Sequence, residues 1–284
     1  MKEILKLIAA FAIAAAAWIA TGSAQAQEEA VRSITHIAGG LYRAQNNLYY
    51  SAFLVTDEGI IATDPINREF AEWLKAELAE RFDQPVRYVV YSHSDADHTT
   101  GGEIFADTAT FVGHSASVPI FEESGHGPAP TVVFDDRMDL TLGGKTVELI
   151  FPGPSHTDNL IAMLFPEERA LFLVDLVAVK RLPFQTLRAY HIPGAIDALK
   201  RIETLDYDIL VTAHGPNGVP GNVTATREYF EALLAKVNAA RDEGLSLAEA
   251  QARIALEDYA DWGQYEAWLP LNIEGLYRIL DEAE

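Results

Sequence analysis

Residues 86–102 read VRYVVYSHSDADHTTGG, and no other stretch limits the fold of this chain as tightly. Residues 86–91 are mostly β-branched and aromatic, which predicts a short buried strand. Where that strand ends, His93, Asp95, Asp97 and His98 crowd together, with Ser94 between them. Thr99, Thr100, Gly101 and Gly102 then read as a turn into a helix. A polar turn with one lone histidine needs no ligand. Several ligand-type side chains behind an apolar strand are different, because buried charges need a partner or a metal. Imidazoles and carboxylates together suit a borderline divalent cation such as zinc. A loop at a strand end points consecutive side chains into one cleft, so the fold must close around it.

The motif resembles the H-x-H-x-D-H signature of the metallo-β-lactamase-fold hydrolases, with Asp95 standing where the second histidine usually is. That family also needs a His, a metal-bridging Asp and a final His further on. His156 lies in PGPSHTDN, Asp175 ends the apolar run ALFLVD, and His214 follows another in DILVTAHGP. The resemblance covers roughly residues 35–220. It implies a four-layer αβ/βα sandwich, within the α/β (α+β) class, with metals in the cleft between the sheet edges. By the same resemblance one metal takes His93, Asp95 and His156, the other takes Asp97, His98 and His214, and Asp175 bridges them. Two zinc ions per chain are expected. Asp95 is harder than imidazole and shifts the preference towards manganese or iron.

A hydroxide between two such metals would attack a carbonyl or phosphorus centre at neutral pH. Asp97 would ligate and orient it, or shuttle its proton. Tyr190 or His191 would stabilise an oxyanion. β-Lactamases of this fold generally carry Cys or Ser at the bridging position, so Asp175 points to the broader hydrolases. Those act on esters, thioesters of the glyoxalase II type and lactones, with phosphodiesterases and sulfatases as further readings. Flavodiiron oxygen reductases share the fold and carry an acidic residue at position 95, which leaves a diiron redox alternative open. No flavodoxin-like second domain or Gly-rich flavin motif is visible, so zinc is preferred. A metal-binding protein without catalysis is the bland alternative.

The address is read from the start of the chain. Lys2 and Lys6 precede an alanine-rich apolar stretch over 7–20, and Ala24-Gln25-Ala26 gives an A-x-A pattern. These predict a signal peptide over 1–26, cut before Gln27, and hence a periplasmic or secreted protein with no membrane contact afterwards. There is no cysteine, so no disulfide staples the fold and no thiolate serves as a ligand. The formal net charge of −21 argues against nucleic acid and anionic membranes as partners and leaves a small-molecule substrate. The oligomeric state is not legible.

Along the chain, residues 34–43 and 49–62 read as early strands, the second ending at Asp64, which would orient a metal-binding histidine from behind or cap a turn. Phe70, Trp73, Leu74, Leu78 and Phe82 recur at helical spacing over 67–82. A short helix over 102–107 and a strand over 110–113 follow; His114 ends that strand as a buried or turn histidine, and His126 in GHGPAP reads as solvated. Hairpins are expected over 138–151 and 159–176, the second carrying Asp175. Residues 179–193 form an irregular connection with Lys180, Arg181, Arg188, Tyr190 and His191, a basic cluster in an acidic chain. A helix over 195–205 and a strand over 209–213 lead to His214. Helices are expected over 223–241, 247–256 and 271–282, with Trp262, Tyr265 and Trp268 packing the tail. The catalytic domain spans 27–221, and 222–284 packs as helices on the same domain.

Overall fold

The computed structural model describes residues 30–188 and 190–282. The leader expected over 1–26 lies outside the described residues. In chain order the elements are β1 (Arg32–Ala38), β2 (Leu41–Asn46), β3 (Tyr49–Thr56), β4 (Gly59–Thr63), α1 (Arg68–Phe82), β5 (Val86–Val90) and α2 (Ala96–Thr99). Then come β6 (Thr110–His114), α3 (Val118–Ser124), β7 (Val132–Phe134), β8 (Arg137–Leu142), β9 (Lys145–Ile150), β10 (Ala162–Phe165) and β11 (Ala170–Phe172). The last are α4 (Ile192–Ile202), β12 (Ile209–Val211), α5 (Pro220–Asp242), α6 (Leu247–Arg253) and α7 (Tyr265–Glu282).

Strands β1 to β7 form one sheet in sequence order, antiparallel through β4 and parallel from there on. The second sheet runs β12-β11-β10-β9-β8, with β11 and β12 parallel. Side-chain alternation sorts the first sheet into two faces. Phe53, Ile60, Ala62, Val89 and Phe111 meet Phe70, Leu74 and Leu78 of α1. Leu54, Ile61, Val90 and Val112 share the other core with Leu149, Met163 and Phe172 of the second sheet. Tyr229, Phe230 and Leu233 of α5 and Ile273 and Leu276 of α7 enter that same core. This is the four-layer αβ/βα sandwich with a C-terminal helical tail. Among the described residues no helix is long and apolar enough to cross a membrane.

Several boundaries differ from the sequence pattern, for local reasons. The turn and helix expected over 99–107 are instead α2, which carries Asp97 and His98, followed by a 3-10 turn at Gly102–Phe105. Gly101 between them has φ 92°, and a Cβ there would lie 2.7 Å from the Asn67 backbone. The strand expected up to Leu176 stops at Phe172, so Asp175 lies beyond the sheet. Helix α4 starts at Ile192, because His191 caps it and accepts the Gly194 N–H on Nδ1 at 3.1 Å. Helix α7 starts at Tyr265 and runs through Pro270, whose freed turn is tolerated because Leu269, Asn272 and Ile273 are buried around it. Here packing overrides propensity.

Candidate metal centre

Three chain segments converge on the end of β5. Asp95 takes the N-cap position of α2, with its backbone carbonyl accepting the N–H groups of His98 and Thr99 at 3.0 and 3.1 Å. Its carboxylate caps nothing and turns instead to His93 and His156, at 3.5 and 3.4 Å. One turn of helix then places Asp97 and His98 on the next flank. The loop after β9 brings His156, the chain past β11 brings Asp175, and the loop after β12 brings His214.

Asp175 is the hub. Its Oδ2 lies 3.2 Å from both His93 Nε2 and His98 Nε2, and 3.7 Å from His156 Nε2. Its Oδ1 lies 2.8 Å from His214 Nε2. Asp97 Oδ2 stands 3.8 Å from His98 Nε2 and 4.0 Å from His214 Nε2. The side chains fall into three overlapping sets: His93, His98 and Asp175; His93, Asp95 and His156; and Asp97, His98 and His214. In each, the ligand atoms lie within 4.8 Å of one another. All seven residues that the sequence motif nominates therefore gather at one place. Asp175 adopts φ 54°, a left-handed conformation that costs a non-glycine residue about 1–3 kcal/mol and clusters at functional sites.

The donor atoms fit a metal. Asp64 is fully buried and accepts the Ser92 N–H at 2.8 Å on one oxygen, and Ser92 Oγ–H and His98 Nδ1–H, both at 2.7 Å, on the other. With its Nδ1 proton given to Asp64, neutral His98 carries its lone pair on Nε2. Ser92 has spent its own proton on Asp64, so at 3.0 Å it accepts one from His93 Nδ1. His93 too is left with a lone pair on Nε2. Both Nε2 atoms are buried and make no hydrogen bond, although an Asp175 oxygen lies 3.2 Å from each. Unpartnered lone pairs of buried imidazoles, aimed at a carboxylate hub, are what a divalent cation would satisfy. Nitrogen and oxygen donors without thiolate suit zinc, manganese or iron.

The same nitrogens take up protons where no cation holds them. Burial, then neighbouring His98, push the His93 pKa down, yet the carboxylates of Asp175 and Asp95 more than offset both and raise it to about 9. His98 rises well above its ordinary value: burial opposes, and Asp175 and Asp64 prevail. Burial would raise Asp175, but His98 and the other imidazoles hold it well below the carboxylate range. Asp95 is likewise held low, with burial opposing and His156 and His93 dominant. The site is built to bind positive charge.

The profile of the Metallo-beta-lactamase superfamily matches residues 63–214. The chain belongs to this superfamily. It is 25% identical over 187 residues to the alpha subunit of a 2,4-dinitroanisole O-demethylase from Nocardioides sp., covering 63% of this chain and 56% of that one. It is 25% identical over 198 residues to a protein from Nostoc sp. named diflavin flavoprotein A 1, covering 61% of this chain and 34% of that one. The chain thus spans little more than half, and about a third, of these curated relatives. A metallo-beta-lactamase from Pontibacter korlensis has the same fold, with TM-score 0.65 and 21% identity, over 71% of this chain and 99% of that one.

Within this superfamily site, the two residues expected to stabilise an oxyanion have other partners. The Tyr190 hydroxyl donates to the Asp175 backbone carbonyl at 2.6 Å, and its ring lies against His156 at 4.8 Å. Its one proton is committed there, and burial drives its pKa up, so Tyr190 anchors the hub residue. His191 is exposed and spends Nδ1 on capping α4. His114 accepts the Ala116 N–H and faces the Asp135 carbonyl, away from the cluster, and His126 is exposed. The sequence reading missed Ser92, Asn159 and Arg43. Asn159 accepts the Ser94 N–H at 2.9 Å and donates to Ser94 Oγ at 3.1 Å, fixing the motif loop. Arg43 is buried on β2, stacks 3.5 Å from the Tyr50 ring centroid and donates to the carbonyls of Thr212 and Gly215 on either side of His214. A charged residue at an inward strand position was the available signal.

Proposed function

We propose that this chain is an exported, dinuclear metal-dependent hydrolase acting on a small ester, thioester, lactone or related substrate. The observation that carries the reading is the pair of buried, unpartnered Nε2 atoms of His93 and His98 facing Asp175. His93, Asp95 and His156 would hold one ion, Asp97, His98 and His214 the other, and Asp175 both. Zinc is the preferred metal. Divalent ions held there supply Lewis-acid polarisation of the electrophile and a nucleophilic water at neutral pH. The protein's own contribution is orientation: Asp64 and Ser92 keep the imidazole tautomers, Tyr190 holds Asp175, and half-exposed Asp97 is free to accept a proton from a water entering the cleft. The strongly acidic chain favours a small molecule over nucleic acid as partner.

Metal analysis of the purified protein beside an ester, thioester and lactone panel tests this. About two ions per chain with turnover are expected, both lost in Asp175→Ala with the fold retained. Wild type that takes up no metal under zinc supply would end the reading. N-terminal sequencing of exported protein should begin at Gln27; an intact Met1 in a membrane fraction would remove the export part. A diiron redox role is the second reading, favoured by the carboxylate of Asp95 beside His93 and His156 and by the relative named as a flavoprotein. Iron content with NADH-linked oxygen uptake and no hydrolysis would select it.

A further inference from the structure

The basic cluster over 179–193 has mostly found partners. Lys180 faces Asp261 at 3.5 Å, Tyr190 holds Asp175, His191 caps α4, and Arg188 is exposed. Arg181 is the exception. Among the described residues no carboxylate pairs with it, and its Nε is buried without a hydrogen bond. Burial lowers its pKa, with the carboxylate of Asp175 and then Tyr190 acting the other way. The guanidinium lies 5.6 Å from the ring centroid of Trp268 on α7. Phe184, 61% exposed, meets the same indole edge-on at 5.2 Å.

The platform is held rigidly. Gly263 donates to the Lys180 carbonyl at 2.8 Å, and its own carbonyl accepts the Leu182 N–H at 3.1 Å, bracketing Arg181. Asn272 donates to the carbonyls of Pro183 and Gln185 at 3.0 and 2.6 Å, bracketing Phe184. A partly desolvated, unpaired guanidinium is costly in any protein and conspicuous in one of net charge −21. A planar oxyanion would accept from its two terminal NH2 groups, which are not buried with Nε. The exposed ring and the indole beside it would take an aromatic face.

We propose that Arg181, Trp268 and Phe184 form a subsite that recognises an aromatic substrate through a carboxylate or similar planar oxyanion on its ring. The subsite rests on the hydrolase reading for its purpose, which is to hold that hydrolase's substrate. It defines the substrate class as an anionic arene.

The test is calorimetric titration of the purified full-length protein with benzoate, benzamide and acetate, with metal content measured on the same samples. Wild type should prefer benzoate over both the neutral arene and the ring-less anion. Arg181→Gln should lose about ten- to a hundredfold in benzoate affinity, the worth of hydrogen bonds to a charged group, with benzamide unchanged. Arg181→Lys should recover part of the loss, and Phe184→Ala should bring benzoate down towards acetate. Circular dichroism checks each variant, and Phe184→Ala with Arg181→Lys decides if Arg181→Gln does not fold. No benzoate binding by wild type, equal affinity in wild type and Arg181→Gln, or an equal loss for benzamide would each overturn the subsite. Protein that takes up no metal under zinc supply yet keeps the benzoate preference would sink the hydrolase reading and leave the subsite standing. Metal-loaded protein without the preference would do the reverse.

Discussion

Asp64 is fully buried and, by accepting from Ser92 and His98, sets which imidazole nitrogen faces the site. In Asp64→Asn one carboxylate oxygen becomes an NH2 group of nearly the same shape. The remaining oxygen can still accept the Ser92 N–H, now met at 2.8 Å. The new NH2 then faces two donors, Ser92 Oγ–H and His98 Nδ1–H, both at 2.7 Å in the wild type. Flipping the amide only moves the conflict to the Ser92 N–H. Relief requires His98 to move its proton to Nε2, which removes the lone pair meant for the metal. Each buried donor left unpaired costs about 1–3 kcal/mol, so the metal-free fold should weaken by that order. Loss of an orienting carboxylate behind a ligand histidine typically costs ten- to a hundredfold in metal affinity, or about 1.4–2.7 kcal/mol. The His98 side should suffer more than the His93 side, because His93 feels Asp64 only through Ser92. Competition titration against a chromophoric chelator reads both affinities, and urea unfolding reads the fold. Two affinities unchanged in a folded Asp64→Asn protein would refute the tautomer argument and with it the case that these nitrogens await a cation.

Three further outcomes follow from the same geometry. Asp95→Ala should weaken the ion held by His93 and His156 while the Asp97, His98 and His214 set survives, and Asp95→His should keep or tighten zinc there; equal zinc affinities across the three proteins would take Asp95 out of the site. Tyr190→Phe removes the 2.6 Å bond to the Asp175 carbonyl. The buried carbonyl should cost about 1–3 kcal/mol in urea unfolding and lower both metal affinities; unchanged values would mean Tyr190 is only packing. The third concerns pH. In the metal-free protein His93 titrates at about 9 against 6.5 in an unfolded chain. Its proton therefore stabilises the fold by about 3 kcal/mol below that unfolded value, and the contribution fades as pH rises through about 9. Asp175, held low, stays ionised throughout and adds no slope. Urea midpoints of metal-stripped protein should fall across that window, and a flat profile would contradict the raised value.

What the chain determined by itself is what short-range pattern can carry. H-x-D-x-D-H behind an apolar run reads locally, because a strand end and one helical turn aim four side chains the same way. His156, Asp175 and His214 were legible because the resemblance asks for a His, an Asp and a His in that order, and each follows a strand-like run, Asp175 and His214 directly and His156 after a short loop. The sandwich was legible only through the family resemblance of those motifs, since the run of strands, hairpins and helices by itself says no more than α/β or α+β. What depended on tertiary structure is everything that joins distant segments. Arg43 reaches across 169 residues to the Thr212 carbonyl, and Asn159 reaches Ser94 across 65. Tyr190 is decided the same way: residue type suggested an oxyanion donor, but whether its proton points into the cleft or at a backbone carbonyl is set by how the 179–193 segment is pinned on α7. Residue type fixes which chemistry a side chain can do. Only the folded neighbourhood fixes where its single proton or lone pair goes, because that choice is made by partners far apart in sequence.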